Sequence, residues 1–208
     1  MLIEQIITRQ YAENVWLIGD PSTRQGLIID PGDQASEIIS KITELQLQPL
    51  AILNTHGHPD HLAAAAELQN HYGIPFYIHA NEATTYATTI PFGQMLGINI
   101  IQLPEEVIYI QNEEALAFGL FKVAVITTPG HTPGSVCYLI DGRLFAGDTL
   151  FRNSVGRVDF PGGSWSQMES SLHKLKILPP ETEVYPGHGS NTTIAHELRH
   201  NPYMRKNI

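Results

Sequence analysis

The stretch that decides the fold is Thr55-His56-Gly57-His58-Pro59-Asp60-His61. It follows Leu50-Ala51-Ile52-Leu53-Asn54, an apolar run too short for a helix and therefore read as a buried strand. It precedes Leu62 to Tyr72, which predicts a helix closed by Gly73 and Pro75. His56 and His58 stand two apart in an extended turn, so their side chains can converge on one ion. Asp60 and His61 lie one step on, at the mouth of the helix, and can face a second. Imidazole and carboxylate suit zinc, iron or manganese, and nothing here is soft enough to demand copper. The plainer alternative is a polar loop that caps a helix. Asp60 alone can accept those backbone N–H bonds, and three histidines add nothing to a cap.

Outward from this motif, the chain alternates strands and helices. Leu2–Thr8, Asn14–Ile18 and Gly26–Asp30 read as strands, with Pro31-Gly32 closing the meander. Ile38, Ile39, Ile42 and Leu45 recur at helical spacing within Gln34–Gln46. Phe76–His79 is a further strand, and Ala80–Pro104 is expected to be helix plus loop over a cleft. Strands follow at Val107–Ile110, Ala115–Phe118, Phe121–Ile126, Ser135–Ile140 and Leu144–Ala146, with Asp141-Gly142 as a tight hairpin turn. Residues 152–164 form a Gly-rich loop. A helix near Ser166–Leu178, a strand at Glu183–Tyr185 and a helix at Thr192–His200 complete the pattern. Both halves run strands first and then strand–helix, which suits two packed sheets with outer helices.

Three later residues share the setting of the first motif. His131 follows the strand ending at Ile126, Asp148 follows Leu144–Ala146, and His188 follows Glu183–Tyr185. Each has glycine or proline beside it, and strand ends flanked by such residues are where α/β sheets build sites. Singly, His131 or His188 reads as an ordinary loop histidine; beside the first cluster the balance reverses. His71, His79, His173, His196 and His200 have no such setting, and Cys137 alternates inside a strand as a small core residue. Seven N/O ligands exceed what one tetrahedral or facial site uses, so two ions are expected.

The loop Phe151–Gly163 follows Asp148 closely. Arg152 and Arg157 within it can clamp a substrate carboxylate, since a guanidinium fork matches one bidentately. The other reading pairs Arg157 with Asp159 or with a metal-bound aspartate and merely holds the loop.

Composition bounds the partners. Of 208 residues 42% are apolar, and 12 basic against 21 acidic residues give a net charge of −9. That field opposes phosphate backbones and anionic membranes, so neither is an expected partner. A single cysteine forms no internal disulfide, which is consistent with a reducing compartment. Glu4 and Arg9 interrupt any apolar signal segment, and no eighteen-residue apolar run occurs. A cytoplasmic protein built as one domain over residues 1–208 is expected.

The set His56-x-His58-x-Asp60-His61, His131, Asp148 and His188 resembles the metallo-β-lactamase superfamily. Within it, Thr128–Ser135, Phe145–Thr149, Gly156–Gly163 and the ending Glu197–Tyr203 are similar to the short glyoxalase-II-like hydrolases. The resemblance implies an α+β fold, a four-layer αββα sandwich with two metal ions at one edge. It implies that His56, His58 and His131 hold one ion and Asp60, His61 and His188 the other, with Asp148 between. Ala64 departs from the glycine that many relatives carry after the first motif. Asp148 stands where many β-lactamases of this fold place cysteine, which argues against lactams as the main substrate. Longer glyoxalase II grips glutathione with a C-terminal helical domain; twenty residues follow His188 here, so that grip is expected to be missing or differently built.

Three functions from different classes follow. The first is hydrolysis of a small thioester such as hydroxyacylglutathione by a metal-bound hydroxide, with Asp60 orienting the water and zinc, iron or manganese as the ions. The second is an oxidoreductase. His56, His131 and Asp148 form a 2-His-1-carboxylate set suited to mononuclear iron, and persulfide dioxygenases resemble the Gly-Arg-x-Asp-Phe loop. The third is a binding protein with a vestigial site, disfavoured by seven intact ligand positions.

Overall fold

Period-two alternation along each strand sorts the apolar residues into three cores in the computed structural model, which describes residues 1–112 and 115–205. The first sheet contains β1 (Leu2–Ile7), β2 (Asn14–Gly19), β3 (Gln25–Ile29), β4 (Gln48–Leu53), β5 (Phe76–His79) and β6 (Val107–Ile110), bonded in that order. Its first three strands are antiparallel and β3 to β6 are parallel. The second half supplies β7 (Ala115–Phe118), β8 (Phe121–Thr127), β9 (Val136–Ile140), β10 (Arg143–Gly147), β11 (Leu150–Phe151), β12 (Ser154–Val155), β13 (Glu183–Pro186) and β14 (Thr192–Thr193). They order as β14-β13-β10-β9-β8-β7, with β11 and β12 forming a separate small ribbon.

Val15, Leu17, Ile28 and Ile52 point outward to α1 (Ala35–Glu44) and α2 (Ala65–Tyr72), meeting Ile38, Ile42 and Leu68. Their strand neighbours Trp16, Ile18, Leu27, Ile29 and Leu53 point inward, against Val123, Val125, Val136, Tyr138 and Phe145 of the second sheet. Cys137, Leu144 and Ala146 face the other outer layer, α4 (Trp165–Lys176), α5 (Ile194–His200) and α6 (Pro202–Arg205), through Met168, Leu172, Ile194 and Met204. The result is helix–sheet–sheet–helix, the four layers the pattern implied. Strands buried on both faces explain why β2, β3 and β10 read as continuous apolar runs. Truncating a fully buried inner residue such as Phe145 costs about 3–5 kcal/mol.

Some boundaries differ from expectation. The second helix starts at Ala65, because Pro59–His61 form a 3-10 turn and Leu62 leaves helical geometry at φ −143. Those extra residues let the motif turn away from β4 before helix packing begins. Ala80–Pro104 resolves into a 3-10 turn and α3 (Ala83–Leu96), which accommodates Pro91 and ends at Gly97 with φ 75. Thr192 and Thr193 pair with β13 rather than opening the last helix. Asp141 and Gly142, at φ 48 and 73, make the expected hairpin turn, since both central positions need positive φ. Among the described residues no helix is long and apolar enough to cross a membrane.

Candidate metal centre

Five strand ends meet at one edge of the sandwich: β3 leads to Asp30, β4 to the His56–His61 turn, β8 to His131, β10 to Asp148 and β13 to His188. The inner core anchors this edge through its polar tips. Tyr138 donates its hydroxyl to the Asn54 carbonyl at 2.7 Å, and Trp16 its indole N–H to Pro186 at 3.1 Å. Asn54 in turn donates to the carbonyls of His56 and His61, tying both ends of the turn.

The expected residues come together. One nitrogen from each of His56, His58 and His131 lies within 4.8 Å of the other two, and Asp60, His61 and His188 form a second group on the same criterion. Asp148 stands between: Oδ1 is 3.3 Å from His61 Nε2, while Oδ2 is 3.5 Å from His131 Nε2 and 3.7 Å from His188 Nε2. Glycine makes the crowding feasible, because a Cβ at Gly187 would sit 2.4 Å from Asp148 Oδ1.

Backbone and side-chain partners fix which ring nitrogens are bare. His131 Nδ1 donates to the Arg157 carbonyl at 2.7 Å, so Nε2 carries the lone pair. Thr55 donates its hydroxyl to Asp30 at 2.6 Å and so accepts from His56 Nδ1 at 3.0 Å. His56 Nε2 is therefore bare, and it is buried without a hydrogen-bond partner. His61 Nδ1 donates to Asp30 at 3.1 Å. Such outer partners are how proteins orient metal-binding imidazoles.

The two groups differ in charge. Burial, then the neighbouring rings of His61, His58 and His131, holds His56 well below the usual imidazole range. Burial and His131 bring His58 down to about 3. In the second group burial opposes ionisation, but the carboxylates of Asp148 and Asp60 outweigh it and raise His61 well above the ordinary value. Burial likewise works against the Asp148 anion, yet His61, His131 and His188 hold its carboxyl well below the usual range.

Three acids here were not expected. Asp30 accepts from Thr55 N–H, Thr55 hydroxyl and His61. It shares the strand-end setting followed by Pro31-Gly32, a signal equal to that at His131. Glu13 is fully buried beside His61 at 3.9 Å, and burial raises its carboxyl well above the ordinary value. Glu82 is fully buried at the start of α3. Neither glutamate has a local sequence signal. The two arginines resolve differently from each other. Arg157 forms a two-pronged pair with Asp159, both contacts 2.7 Å, and stacks on Phe160 at 3.8 Å, the loop-holding alternative. Arg152 is exposed, with a 3.4 Å contact to the Asn191 carbonyl.

A two-sheet sandwich with histidines and aspartates gathered at its strand ends defines a metallohydrolase type of fold. The family model for the metallo-β-lactamase superfamily matches residues 8–188, and the chain belongs to that superfamily. It is 37% identical to the probable metallo-hydrolase YqgX of Bacillus subtilis, covering 93% of this chain and 92% of that one. It is 35% identical to the hydroxyacylglutathione hydrolase GloC of Haemophilus influenzae over 98% of each. Among solved structures, BLEG-1 B3 metallo-β-lactamase superposes with TM-score 0.89 at 34% identity, covering 99% of this chain and 100% of that one. TTHA1623 in a di-iron-bound form gives 0.89 at 36%, covering 96% and 99%. ETHE1 from Myxococcus xanthus gives 0.84 at 32%, covering 100% and 86%.

Proposed function

We propose that the protein hydrolyses small thioesters such as hydroxyacylglutathione with the help of two divalent ions. His56, His58 and His131 would hold one, Asp60, His61 and His188 the other, and Asp148 both. The observation that carries this is His56 Nε2, a buried atom that lacks a hydrogen-bond partner inside a ring of converging ligand-type side chains. Burying such an atom unpaired costs about 1–3 kcal/mol, and a cation offsets that cost. The N/O donor set suits zinc, iron or manganese, and the hydroxyacylglutathione hydrolase relative supports the substrate class.

Bound divalent ions lower the pKa of water toward about 7 and polarise an acyl carbonyl. The chain supplies the rest. Asp60, at the partly open rim, accepts a hydrogen bond from the attacking water and orients it. Phe92 and Phe160 pack edge-to-face at 5.3 Å and both flank His58, shielding that side from solvent. The leaving thiolate, with a typical pKa of about 8.5, needs no strong general acid. Arg152, the loop arginine without a carboxylate partner among the described contacts, meets a substrate carboxylate.

A second reading is oxidation of a persulfide with a single iron held by His56, His131 and Asp148. The di-iron-bound form of TTHA1623 supports iron as the metal of such a site, though in two copies. The test is turnover of lactoylglutathione by zinc-, manganese- and iron-loaded protein, beside oxygen uptake with glutathione persulfide and cleavage of a lactam. Thioester cleavage well above metal-free controls supports the proposal. Oxygen uptake by the iron form alone, without thioester cleavage, replaces it with the second reading, and preferential lactam cleavage overturns both.

A further inference from the structure

Glu82 has no solvent exposure, and nothing in the proposed chemistry uses a carboxylate at that point. Its Oε2 accepts the Gly57 N–H at 2.7 Å and its Oε1 the Gly134 N–H at 2.6 Å. Gly57 lies between His56 and His58, and Gly134 sits three residues past His131. One carboxylate therefore ties together the two loops that form the three-histidine group, using both of its oxygens. About two helical turns along α3, Thr89 donates its hydroxyl to the Gly57 carbonyl at 2.7 Å. The peptide unit after Gly57 and the one before it are thus held by the same helix. Phe92 continues this face, its ring centroid 5.6 Å from that of His58. The approach is close enough to need glycines: a Cβ at Gly134 would fall 2.6 Å from the Glu82 backbone nitrogen, and one at Gly57 3.0 Å from Glu82 Oε2.

We propose that Glu82 and Thr89 are positioning residues that set the spacing of the His56–His58–His131 group. The Asp60–His61–His188 group has anchors of its own that Glu82 and Thr89 do not touch, His61 Nδ1 on Asp30 and the His188 turn on Asn14, which donates to the Pro186 and Gly189 carbonyls. A buried carboxylate is costly unless it accepts charge-assisted hydrogen bonds. Glutamine at 82 keeps the shape but offers one acceptor and one donor, so it sets its own N–H against a loop N–H. The two loops then separate on the side of His58 and His131, whose nearest ring nitrogens stand 2.8 Å apart. This inference rests on the two-ion reading above.

The experiment compares zinc-loaded wild type, Glu82→Gln and Thr89→Val by elemental analysis, chelator competition and NMR of the histidine ring nitrogens. Wild type is expected to hold two ions. Glu82→Gln should keep one and bind the other about ten- to a hundredfold more weakly, the range for outer-partner changes at metal sites. Ring nitrogens of His56, His58 and His131 should move to their metal-free positions while those of His61 and His188 stay. Thr89→Val should shift in the same direction by a smaller factor. A folded Glu82→Gln that binds both ions like wild type, or loses both alike, overturns the inference. If Glu82→Gln does not fold, Thr89→Val decides: unchanged affinity at the three-histidine group overturns it, weakening there supports it. Wild type taking up no zinc removes the two-ion reading itself and this inference with it, whereas a normal wild type with a wild-type-like variant removes only the inference.

Discussion

Replacing Gly187 by alanine places a methyl carbon 2.4 Å from Asp148 Oδ1 and 2.6 Å from His61 Cε1. Ordinary contacts begin near 3.4 Å, so these groups must yield by about an ångström, an overpacking cost of about 1–3 kcal/mol. Gly187 is not in the left-handed region, so the clash is the whole perturbation. Gly142→Ala is the matched control. Its φ of 73 puts alanine in a left-handed conformation costing about 1–2 kcal/mol, with nothing within 4 Å of the new methyl. In a chain of this size Gly187→Ala should melt roughly 2–12 °C and Gly142→Ala roughly 2–8 °C below wild type without metal.

Adding zinc separates them. Disturbing the groups that orient metal ligands costs about ten- to a hundredfold in metal affinity, or about 1.4–2.8 kcal/mol of binding. Gly187→Ala should therefore lose most of the zinc-induced rise in Tm, while Gly142→Ala keeps a rise equal to that of wild type. Differential scanning calorimetry at fixed zinc, with elemental analysis of the same samples, reads both quantities. An unchanged zinc-induced rise in Gly187→Ala, or an equal loss in Gly142→Ala, would show that the glycine is not what lets Asp148 and His61 approach.

Arg152→Ala should raise KM for an anionic thioester severalfold with kcat nearly unchanged, the signature of uniform binding, whereas Arg157→Ala should loosen the Phe160 loop; steady-state kinetics showing the reverse split would exchange their roles. Cys137 is fully buried, and burial pushes its thiol up to about 11. Native protein at pH 8 should resist a disulfide-exchange reagent and react with one thiol only after denaturation. The Arg157 hydrogen bonds hold the exposed Asp159 carboxyl down at about 2. Because its folded pKa lies below the unfolded value of about 3.9, any stability it contributes is present above that value and lost as pH falls toward 2; carbon NMR showing titration near 4 contradicts the pairing.

Much of the site could be read because each ligand-type residue sits just past a strand beside glycine or proline. That punctuation is local and survives without knowledge of the fold. Asp30 carries the same mark in Asp30-Pro31-Gly32, but it stands alone in sequence, its partner His61 thirty-one residues away. Glu82 carried no mark: an acid ahead of a helix is ordinary dipole chemistry, and its bonds reach 25 and 52 residues along the chain. The layers were legible for a related reason. Strands buried on both faces lose visible alternation, but their count and order persist. What sequence could not supply was the start of α2, where the motif's turn overrides the helical spacing of Leu62, and the fate of Arg157, which depends on a neighbour two positions away competing with a substrate.

The two ion groups of the proposed function each draw members from both halves of the chain, His56 and His58 with His131, and Asp60 and His61 with His188, while Asp30, His56 and His61 gather within the first half alone. An ion bound in either of the two shared groups would act as a rivet across the seam between the two sheets. Its binding energy would go to the docked sandwich, since neither of those two sets is complete in one half. By mass action, a free ion at a thousand times its dissociation constant favours the docked form by about 4.1 kcal/mol. Metal supply would then govern cohesion as well as chemistry, and a starved molecule would first come apart along its middle.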